Sequence, residues 1–272
     1  MAHASAMVKP RQRELLHLEV RGSYLVSPHF LRVTLGGRDA DRFRPMGFDQ
    51  WFRLFLPTGD VAALDRIPPK ANETLGYLRF LTMSDRPLMR NYTVRAYRAG
   101  GAAGPEIDID FVVHGPTDDP RSSAAAWATH CSPGDRVAII DEGIGFNPER
   151  GVDDVLLVAD ETGLPAVSGI LGSLPAHARG VAWCEVPGPD DRLELDGPDG
   201  VEVRYVVRGE HEIPGHALLR TVLGTETTGH AFLAGEQGLV SGARRDLVSR
   251  GTPADRISFC SYWKLPKHLR VA

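Results

Sequence analysis

The stretch from Val155 to Ala166, which reads VLLVADETGLPA, decides the fold of the second half of the chain. Its first five residues are apolar without interruption, as expected of a parallel strand that is buried on both faces. The polar residues that follow include Thr162 and Gly163, either of which could cap a helix, and Pro165 suits the first turn of that helix. The stretch therefore predicts a strand, a loop and a helix in direct succession.

The same alternation continues towards the end of the chain. Helical stretches fall between most of the later apolar runs, and Gly238–Arg250 is the clearest of them. Its residues Leu239, Ala243 and Leu247 recur at the spacing of one helix face. Strands that alternate with helices indicate a parallel, doubly wound sheet. Its further strands are predicted at Val181–Val186, Val201–Val207, Ala231–Ala234 and Ile257–Ser261.

The first half of the chain reads as strands instead. The clearest is Glu106–His114, in which apolar residues fall on one face and Asp108 and Asp110 on the other. Several strands of this kind predict a small antiparallel barrel, with residues 60–88 as a covering insertion. Shorter runs that support it lie at Leu16–Val20, Phe30–Leu35 and Trp51–Leu56.

We therefore expect a two-domain α+β protein. An antiparallel β-barrel domain is predicted over residues 14–150, after a disordered N-terminal segment of residues 1–13. An α/β doubly wound domain, with a C-terminal tail, is predicted over residues 151–272. The length of 272 residues suits two ordinary domains.

Composition excludes several classes of protein. The 31 Lys and Arg residues against 35 Asp and Glu give a net charge of -4, which argues against a general nucleic-acid binder. The 3 cysteines have no CxxC spacing, so we expect neither a disulfide framework nor a metal site held by the chain. The amino terminus lacks the apolar stretch of a secretory signal, and no apolar run of about 18 residues is present. These features predict a cytoplasmic protein with no membrane partner.

The first candidate binding motif is Arg90-Asn91-Tyr92-Thr93. A flavin needs a cation near its pyrophosphate, an aromatic ring against its own ring or ribityl chain, and a small hydroxyl near N5. Arg90, Tyr92 and Thr93 supply these three groups on one predicted strand. The alternative is structural, because Tyr and Thr are ordinary strand residues.

The second candidate motif begins where the strand through Asp110, Val112 and His114 ends. Beyond it, residues 122–124 (Ser-Ser-Ala) would open a helix, and free N–H groups at a helix start bind phosphate well. The alternative is a plain Ser-capped helix with Trp127 in the core.

The third candidate set lies where strands of the second half are predicted to end, which is where nucleotides bind in such sheets. The GxGxxG fingerprint of dinucleotide-binding folds is absent, and each segment alone is also an ordinary strand-to-helix turn. The three segments are Asp160–Ala166, Ala234–Glu236 and Tyr262–Lys264.

Taken in order, these segments resemble the siderophore-interacting protein family, NAD(P)H-dependent ferric-siderophore reductases with a ferredoxin-reductase-like fold. The likeness runs from about Leu16 to Lys264 and rests on the ordered set, because each piece alone is common. The chain departs from the family pattern where residues 122–125 (Ser-Ser-Ala-Ala) replace Gly-Pro-Ala-Ser and where Gly163 replaces an Ala. It also lacks the family's Gly shortly after Tyr262-Trp263.

The resemblance implies that the barrel binds FAD and the second domain binds NADH or NADPH. Thr93 is then expected near flavin N5, and Thr93 and Lys264 are the expected catalytic residues. The implied FAD-binding residues are Arg90, Tyr92, Thr93, Asp110, Val112, His114, Ser122, Ser123, Ala124, Trp127, Asp160, Thr162, Tyr262 and Trp263. The implied NAD(P)H-binding residues are Glu161, Glu185, Gly235 and Glu236.

The implied substrate is a ferric siderophore. Hard oxygen ligands hold Fe(III) much more strongly than Fe(II), so reduction is an effective way to release the iron. Ferric siderophores are often anionic, and Arg53, Arg245 and Lys264 are expected to form a basic pocket for them. The alternative is that Arg53 and Arg245 are solvated surface cations.

Several alternatives stay open at this point. Glu185, followed by Asp190 and Asp191, suits a ribose 2′-hydroxyl and favours NADH slightly, whereas Arg192 suits a 2′-phosphate. A ferredoxin is an alternative electron donor, and a monomer is the expected state. The protein could also be a general flavin or ferredoxin-type reductase, or a non-catalytic siderophore-binding protein.

Overall fold

The structure of the protein is a computed structural model that describes residues 7–101, 103–113, 119, 121, 123–149, 151, 153–227 and 229–266. By their contacts these residues divide into two units, each with its own sheet. The first, here called the barrel unit, comprises Lys9–Met46 and Gln50–Gly143. The second, here called the α/β unit, comprises the described residues from Ile144 onwards together with residues 7–8 and 47–49.

The barrel unit contains a seven-stranded antiparallel sheet in the order β4-β3-β7-β1-β2-β6-β5. The ring of Tyr92 on β4 packs 4.3 Å from that of Phe111 on β6, although these strands lie far apart in the strand order. The sheet therefore curves round its own core, as the predicted barrel requires. The strands are β1 Leu15–Ser27, β2 Phe30–Gly36, β3 Trp51–Leu56, β4 Leu88–Thr93, β5 Ala96–Gly101, β6 Gly104–Val112 and β7 Arg136–Gly143.

Strand β6 shows how the alternation in the sequence builds the core of the barrel unit. Ile107, Ile109 and Phe111 are buried in the main apolar cluster, as predicted. Asp108 and Asp110 on the opposite face are buried as well, because arginines on β5 and β2 pair with them. Burying a carboxylate is costly unless it is paired and hydrogen-bonded, so these ion pairs permit acidic residues inside a sheet.

The segment between β3 and β4 covers the outer face of the barrel unit, as predicted for an insertion. It contains the 3-10 turn Val61–Arg66 and helix α1, Thr74–Leu81. Leu64 and Phe80 of this segment pack with Phe55 of β3 in a second apolar cluster. A short helix α2, Ala124–His130, follows β6 and packs on the main core through Trp127.

The α/β unit contains a five-stranded parallel sheet in the order β10-β9-β8-β11-β12, which confirms the predicted doubly wound arrangement. The buried face of helix α5 carries Leu239, Ala243 and Leu247, as its spacing predicts. The strands are β8 Asp154–Ala159, β9 Arg179–Val186, β10 Val201–Val207, β11 His230–Glu236 and β12 Ile257–Trp263. The helices are α3 Leu164–Ser173, α4 His216–Val222 and α5 Gln237–Ser249.

One expectation about the chain ends is wrong. Residues 7–13 belong to the fold, although residues 1–13 were expected to be disordered. Val8 forms a β-bridge with Ile144, and Lys9 and Arg13 both bind Glu142. The sequence pattern missed this segment because it is held by charge and one bridge, not by an apolar run.

Two features are absent from the described residues. No helix among them has the length and apolar character needed to cross a membrane. Within the same ranges, no group of three or more His, Cys, Asp or Glu side chains could hold a metal ion.

His230, at the start of β11, makes the stability of the α/β unit depend on pH. Its Nε2 lies 2.9 Å from the Ser258 hydroxyl, and Phe146 packs edge-on against its ring. Burial lowers the pKa of His230 to about 4, from 6.5. Because the folded state favours the neutral ring, this stabilisation is complete above pH 6.5 and is lost as the pH falls towards 4.

Between about pH 7 and pH 5, the unfolding free energy of the wild type should therefore fall by about 2 kcal/mol more than that of His230→Gln. Burial raises the pKa values of Asp141 and Asp160 to about 6, which acts in the opposite direction. Both acids are present in both proteins, so their effects cancel in the comparison. Urea unfolding at the two pH values measures the difference, and identical pH profiles would contradict the expectation.

Candidate functional site

The Arg90-x-Tyr92-Thr93 motif forms the end of β4, which is paired with β3 on one side. The guanidinium of Arg90 is exposed, and its Nη1 donates to the neighbouring Met89 carbonyl at 2.8 Å. Burial raises the pKa of Tyr92, so its phenol stays protonated. Thr93 is buried opposite Trp51. The strand thus carries a cation, an aromatic ring and a hydroxyl in succession, and their predicted contacts with a flavin stay predictions.

Helix α2 supplies the second set of groups. The hydroxyl of Ser123 accepts a hydrogen bond from the Ala126 N–H at 3.0 Å and caps the helix, which begins at Ala124 as predicted. The cap hydroxyl retains a proton to donate, and a helix start leaves N–H groups outside the helical ladder. Trp127 is buried in the core and packs 6.1 Å from Phe111, so the alternative of a core tryptophan is confirmed.

A cavity of about 360 Å³ lies beside this helix in the barrel unit. One side of the cavity is formed by Trp127 and His130 of α2 and by Cys131, the residue after the helix. The loop after β3 forms another side. Arg121 and Arg136 line the cavity as well, but they are paired with Asp119 and Asp65, and Asp135 adds a negative charge.

The end of β6 differs from the expectation. Both carboxylate oxygens of Asp110 accept hydrogen bonds from Arg32, at 2.7 and 2.8 Å, and Arg95 lies 3.6 Å away. The arginines therefore occupy the carboxylate of Asp110, and its predicted contact with FAD stays a prediction. Val112 ends the strand opposite Phe30. His114 and Ser122, the other predicted residues here, lie outside the described residues.

In the α/β unit, Asp160 joins the carboxyl ends of three strands. Its Oδ1 accepts hydrogen bonds from the Thr162 N–H at 2.9 Å and hydroxyl at 2.5 Å. Its Oδ2 accepts from the Glu236 N–H at 2.6 Å and the Trp263 indole N–H at 2.9 Å. Asp160 is completely buried. The predicted segments therefore meet at this carboxylate, which holds them together, and its predicted contact with FAD stays a prediction.

Gly235 and Glu236 complete this junction. Gly235 has a φ of 122°, and a Cβ there would lie 2.4 Å from the Asp160 carboxyl group, so only glycine fits. The Glu236 carboxylate accepts hydrogen bonds from the Gly238 and Leu239 N–H groups at the start of α5 and from the Leu265 N–H. The side chain of Glu236 is buried, and its predicted contact with NAD(P)H stays a prediction.

The other two predicted NAD(P)H residues form a buried ion network. Arg208, after β10, donates twice to Glu161 at 3.0 Å and once to Glu185 at 3.1 Å. Glu185 also accepts from the Gly215 and Leu218 N–H groups at the start of α4. The side chain of Glu185 is fully buried, and its predicted contact with NAD(P)H stays a prediction. Glu161 is buried as well, and both of its carboxylate oxygens accept hydrogen bonds from Arg208. Its predicted contact with NAD(P)H also stays a prediction.

The three predicted substrate cations have different surroundings. Arg53 donates to Glu142 at 2.7 Å in the barrel unit. Arg245 and Lys264 are exposed in the α/β unit, as is Tyr262. Arg244 is not among the predicted cations, and its guanidinium lies 4.7 Å from the ring of Phe259. Within the described part of the chain, its buried Nε has no hydrogen-bond partner.

Comparisons with known proteins cover both units. A family model described as a siderophore-interacting FAD-binding domain matches residues 19–144, and one described as a siderophore-interacting protein matches residues 152–266. Ferric vibriobactin reductase ViuB of Vibrio cholerae is 30% identical over 92% of this chain and 89% of its own. The NADPH-dependent ferric-chelate reductase of Escherichia coli is 25% identical, covering 93% of each chain.

Solved structures include a similar chain. The siderophore-interacting protein SipS of Aeromonas hydrophila superposes with a TM-score of 0.68 at 29% identity, covering 93% of this chain and 99% of that one.

Proposed function

Because the chain belongs to the siderophore-interacting protein family, we propose that it reduces ferric siderophores with electrons that pass from NAD(P)H through FAD. Reduction of Fe(III) to Fe(II) weakens its bonds to hard oxygen ligands, so the iron is released. One observation carries the assignment of the flavin site: the rings of Tyr92, Phe111 and Trp127 connect β4 to the helix that Ser123 caps. Both candidate flavin motifs therefore belong to one packed group.

The donor set of the barrel unit fits FAD. Arg90 would bind the pyrophosphate by charge, and the start of α2 at Ser123 and Ala124 would donate N–H groups to the same anion. Tyr92 would present its ring to the cofactor, and Thr93 would place its hydroxyl near N5. FAD, when bound, accepts a hydride and returns its electrons singly, which suits a one-electron acceptor such as Fe(III). No side-chain general base is required.

The carboxyl edge of the parallel sheet is the proposed NAD(P)H site. The Asp160 junction holds the ends of β8, β11 and β12 at this edge, and Gly235 lets the backbone there pass close to Asp160. A choice between NADH and NADPH no longer follows from Glu185, because Arg208 and α4 occupy it. A relative carries NADPH in its name, which supports NADPH as the first donor to test.

Three finer points are part of the proposal. We propose that Lys264 and Arg245 bind the ferric siderophore, because both are exposed cations of the α/β unit. We propose further that the reaction takes place in the cytoplasm and that the protein acts as a monomer, with a ferredoxin as the alternative electron donor. The intact Arg90-x-Tyr92-Thr93 motif argues against a non-catalytic carrier, which would have no need of it.

Anaerobic absorbance spectroscopy tests the proposal. The FAD-loaded protein should show a band near ~450 nm that bleaches with NADPH or NADH and returns when a ferric siderophore is added. The gallium(III) form of the same siderophore is the matched control and should leave the flavin bleached, because gallium(III) is not reduced under these conditions. A protein that takes up no FAD, or whose bleached flavin ignores ferric siderophores, would refute the proposal.

A further inference from the structure

One buried arginine connects the loop after β8 with the ends of β9 and β10. Nη1 and Nη2 of Arg208 donate to the two carboxylate oxygens of Glu161, each at 3.0 Å, and Nη1 also donates to Glu185 at 3.1 Å. The N–H of Arg208 donates to the Val186 carbonyl at 3.0 Å, which fixes its main chain beside β9. The side chain of Arg208 is 11% exposed. Arg208, Glu161 and Glu185 are here called the Arg208 network.

The Arg208 network and the Asp160 junction hold the same loop from opposite sides of β8. Asp160 binds a main-chain N–H of β11 and an indole N–H of β12, which follow β8 on one side in the strand order. Glu161, the next residue, binds Arg208 after β10, and Arg208 binds Glu185 of β9 on the other side. Two adjacent carboxylates therefore tie the residues after β8 to the four other strands. This loop leads into α3, at the edge of the sheet where NAD(P)H is proposed to bind.

The two glutamates depend on Arg208 to different degrees. Glu185 also accepts hydrogen bonds from two N–H groups at the start of α4. Glu161 is 2% exposed, and within the described part of the chain its carboxylate accepts hydrogen bonds from Arg208 alone. A buried carboxylate that loses its partner is strongly unfavourable, so it turns towards water. Because Glu161 belongs to the loop, that movement displaces the loop, whereas Asp160 still holds the other side.

From this arrangement we infer that Arg208 is a positioning residue for NAD(P)H. It acts through Glu161, whose two oxygens it holds, and it fixes the loop between β8 and α3 in the position that binds the dinucleotide. The loop ends at a helix start, and the N–H groups of a helix start favour phosphates. The inference rests on the proposed function, because it takes NAD(P)H as the electron donor.

The test compares a matched pair of arginine-to-lysine variants. Arg208→Lys keeps the positive charge but replaces a forked donor by a single ammonium, which cannot hold both oxygens of Glu161 in the same way. Arg204→Lys makes the same change at an exposed position of β10, where the partners are Glu202 and the Trp183 ring. Calorimetric titration of the FAD-loaded proteins with NADP⁺ and with NAD⁺ gives dissociation constants without any electron transfer. Steady-state reduction of a ferric siderophore gives KM and kcat for NADPH and NADH.

Arg208→Lys should weaken binding of the dinucleotide that the wild type binds more tightly by about tenfold, and KM should rise by a similar factor. The value of kcat at saturating dinucleotide should stay within about twofold of the wild type, because positioning of the phosphates affects the ground state and the transition state alike. Reoxidation of dithionite-reduced flavin by a ferric siderophore should be unchanged, since that step needs no dinucleotide. Arg204→Lys should stay within about twofold of the wild type in every measurement.

A double variant shows whether Arg208 acts through Glu161. Glu161→Gln alone should weaken dinucleotide binding about fivefold, because an amide offers Arg208 only one acceptor oxygen. With Glu161→Gln in place, Arg208→Lys should add less than about twofold, since the two substitutions break the same contact. Losses that multiply would mean that Arg208 acts on the dinucleotide independently of Glu161, which contradicts the inference.

Thermal unfolding separates this role from a purely structural one. If Arg208→Lys unfolds at a lower temperature but keeps the wild-type dinucleotide affinity and KM, Arg208 only stabilises the α/β unit and the inference is overturned. If Arg208→Lys does not fold, Glu161→Gln decides, and wild-type affinity in that variant overturns the inference. A wild type that binds a dinucleotide but reduces no ferric siderophore would refute the proposed function, whereas the calorimetric comparison would still decide the role of Arg208.

Discussion

Replacement of Asp160 by alanine is expected to lower the free energy of unfolding of the α/β unit by about 3–5 kcal/mol. The substitution leaves the N–H groups of Thr162 and Glu236 and the indole N–H of Trp263 without their acceptor inside the protein. Each buried donor without a partner costs about 1–3 kcal/mol. Urea unfolding followed by tryptophan fluorescence measures the loss.

Two further variants separate this mechanism from a general effect of lost charge. Asp160→Asn keeps the shape and one acceptor oxygen, so its loss should be smaller than that of Asp160→Ala. Asp199→Ala removes an exposed carboxylate from a turn of the same unit and should change stability by less than about 0.5 kcal/mol. An Asp160→Ala protein that unfolds at the wild-type urea concentration would show that Asp160 does not hold the strand ends together.

Replacement of Arg90 by alanine is expected to weaken FAD binding by about 10- to 100-fold. A hydrogen bond to a charged group contributes about 1.5–3 kcal/mol, and Arg90 is the proposed partner of the pyrophosphate. Its side chain is exposed, so the substitution should leave the stability of the FAD-free protein unchanged. Fluorescence titration of the FAD-free protein with FAD gives the dissociation constant.

The matched control for this variant is Arg86→Ala. Arg86 is an exposed cation just before β4 whose guanidinium lies 5.7 Å from the ring of Phe80. The Arg86→Ala substitution removes the same charge from a nearby position, so FAD affinity should change by less than about threefold. Equal losses in the two variants would mean that general charge attracts FAD, and they would remove Arg90 from the site.

Much of the fold is predictable from the sequence, because local sequence patterns determine its strands and helix starts. The unbroken apolar run before Asp160 and the alternation along β6 each correspond to a strand in the structure. The start of α2 was equally predictable, since Ser123 is a favourable cap. These features depend on neighbours in the sequence, which a pattern can reveal.

The partners of buried charged residues were not predictable in the same way. Glu185 ends a strand at a position that suits a ribose, yet Arg208 and the start of α4 occupy it. Asp110 likewise meets Arg32, which lies 78 residues away in the sequence. Such pairs are formed by strand order and register, and the sequence of one strand contains neither.

Helix phase explains another difference. Arg244 and Arg245 are adjacent, but successive helix residues point about 100° apart. The structure places Arg244 over Phe259 of β12 and leaves Arg245 exposed. Which arginine has a partner depends on the strand that packs beside α5. The sequence of the helix alone does not show which strand that is.

The protein is expected to pass electrons from NAD(P)H to siderophore-bound Fe(III), and the ratio of Fe(II) formed to reductant oxidised measures this transfer. The FAD-loaded protein is mixed anaerobically with limiting NADPH, an excess of ferric siderophore and a chromogenic Fe(II) chelator. About two Fe(II) should form per NADPH oxidised, because a hydride carries two electrons and each Fe(III) accepts one. Oxidation of NADPH without formation of Fe(II), or no oxidation at all with either nicotinamide, would contradict it.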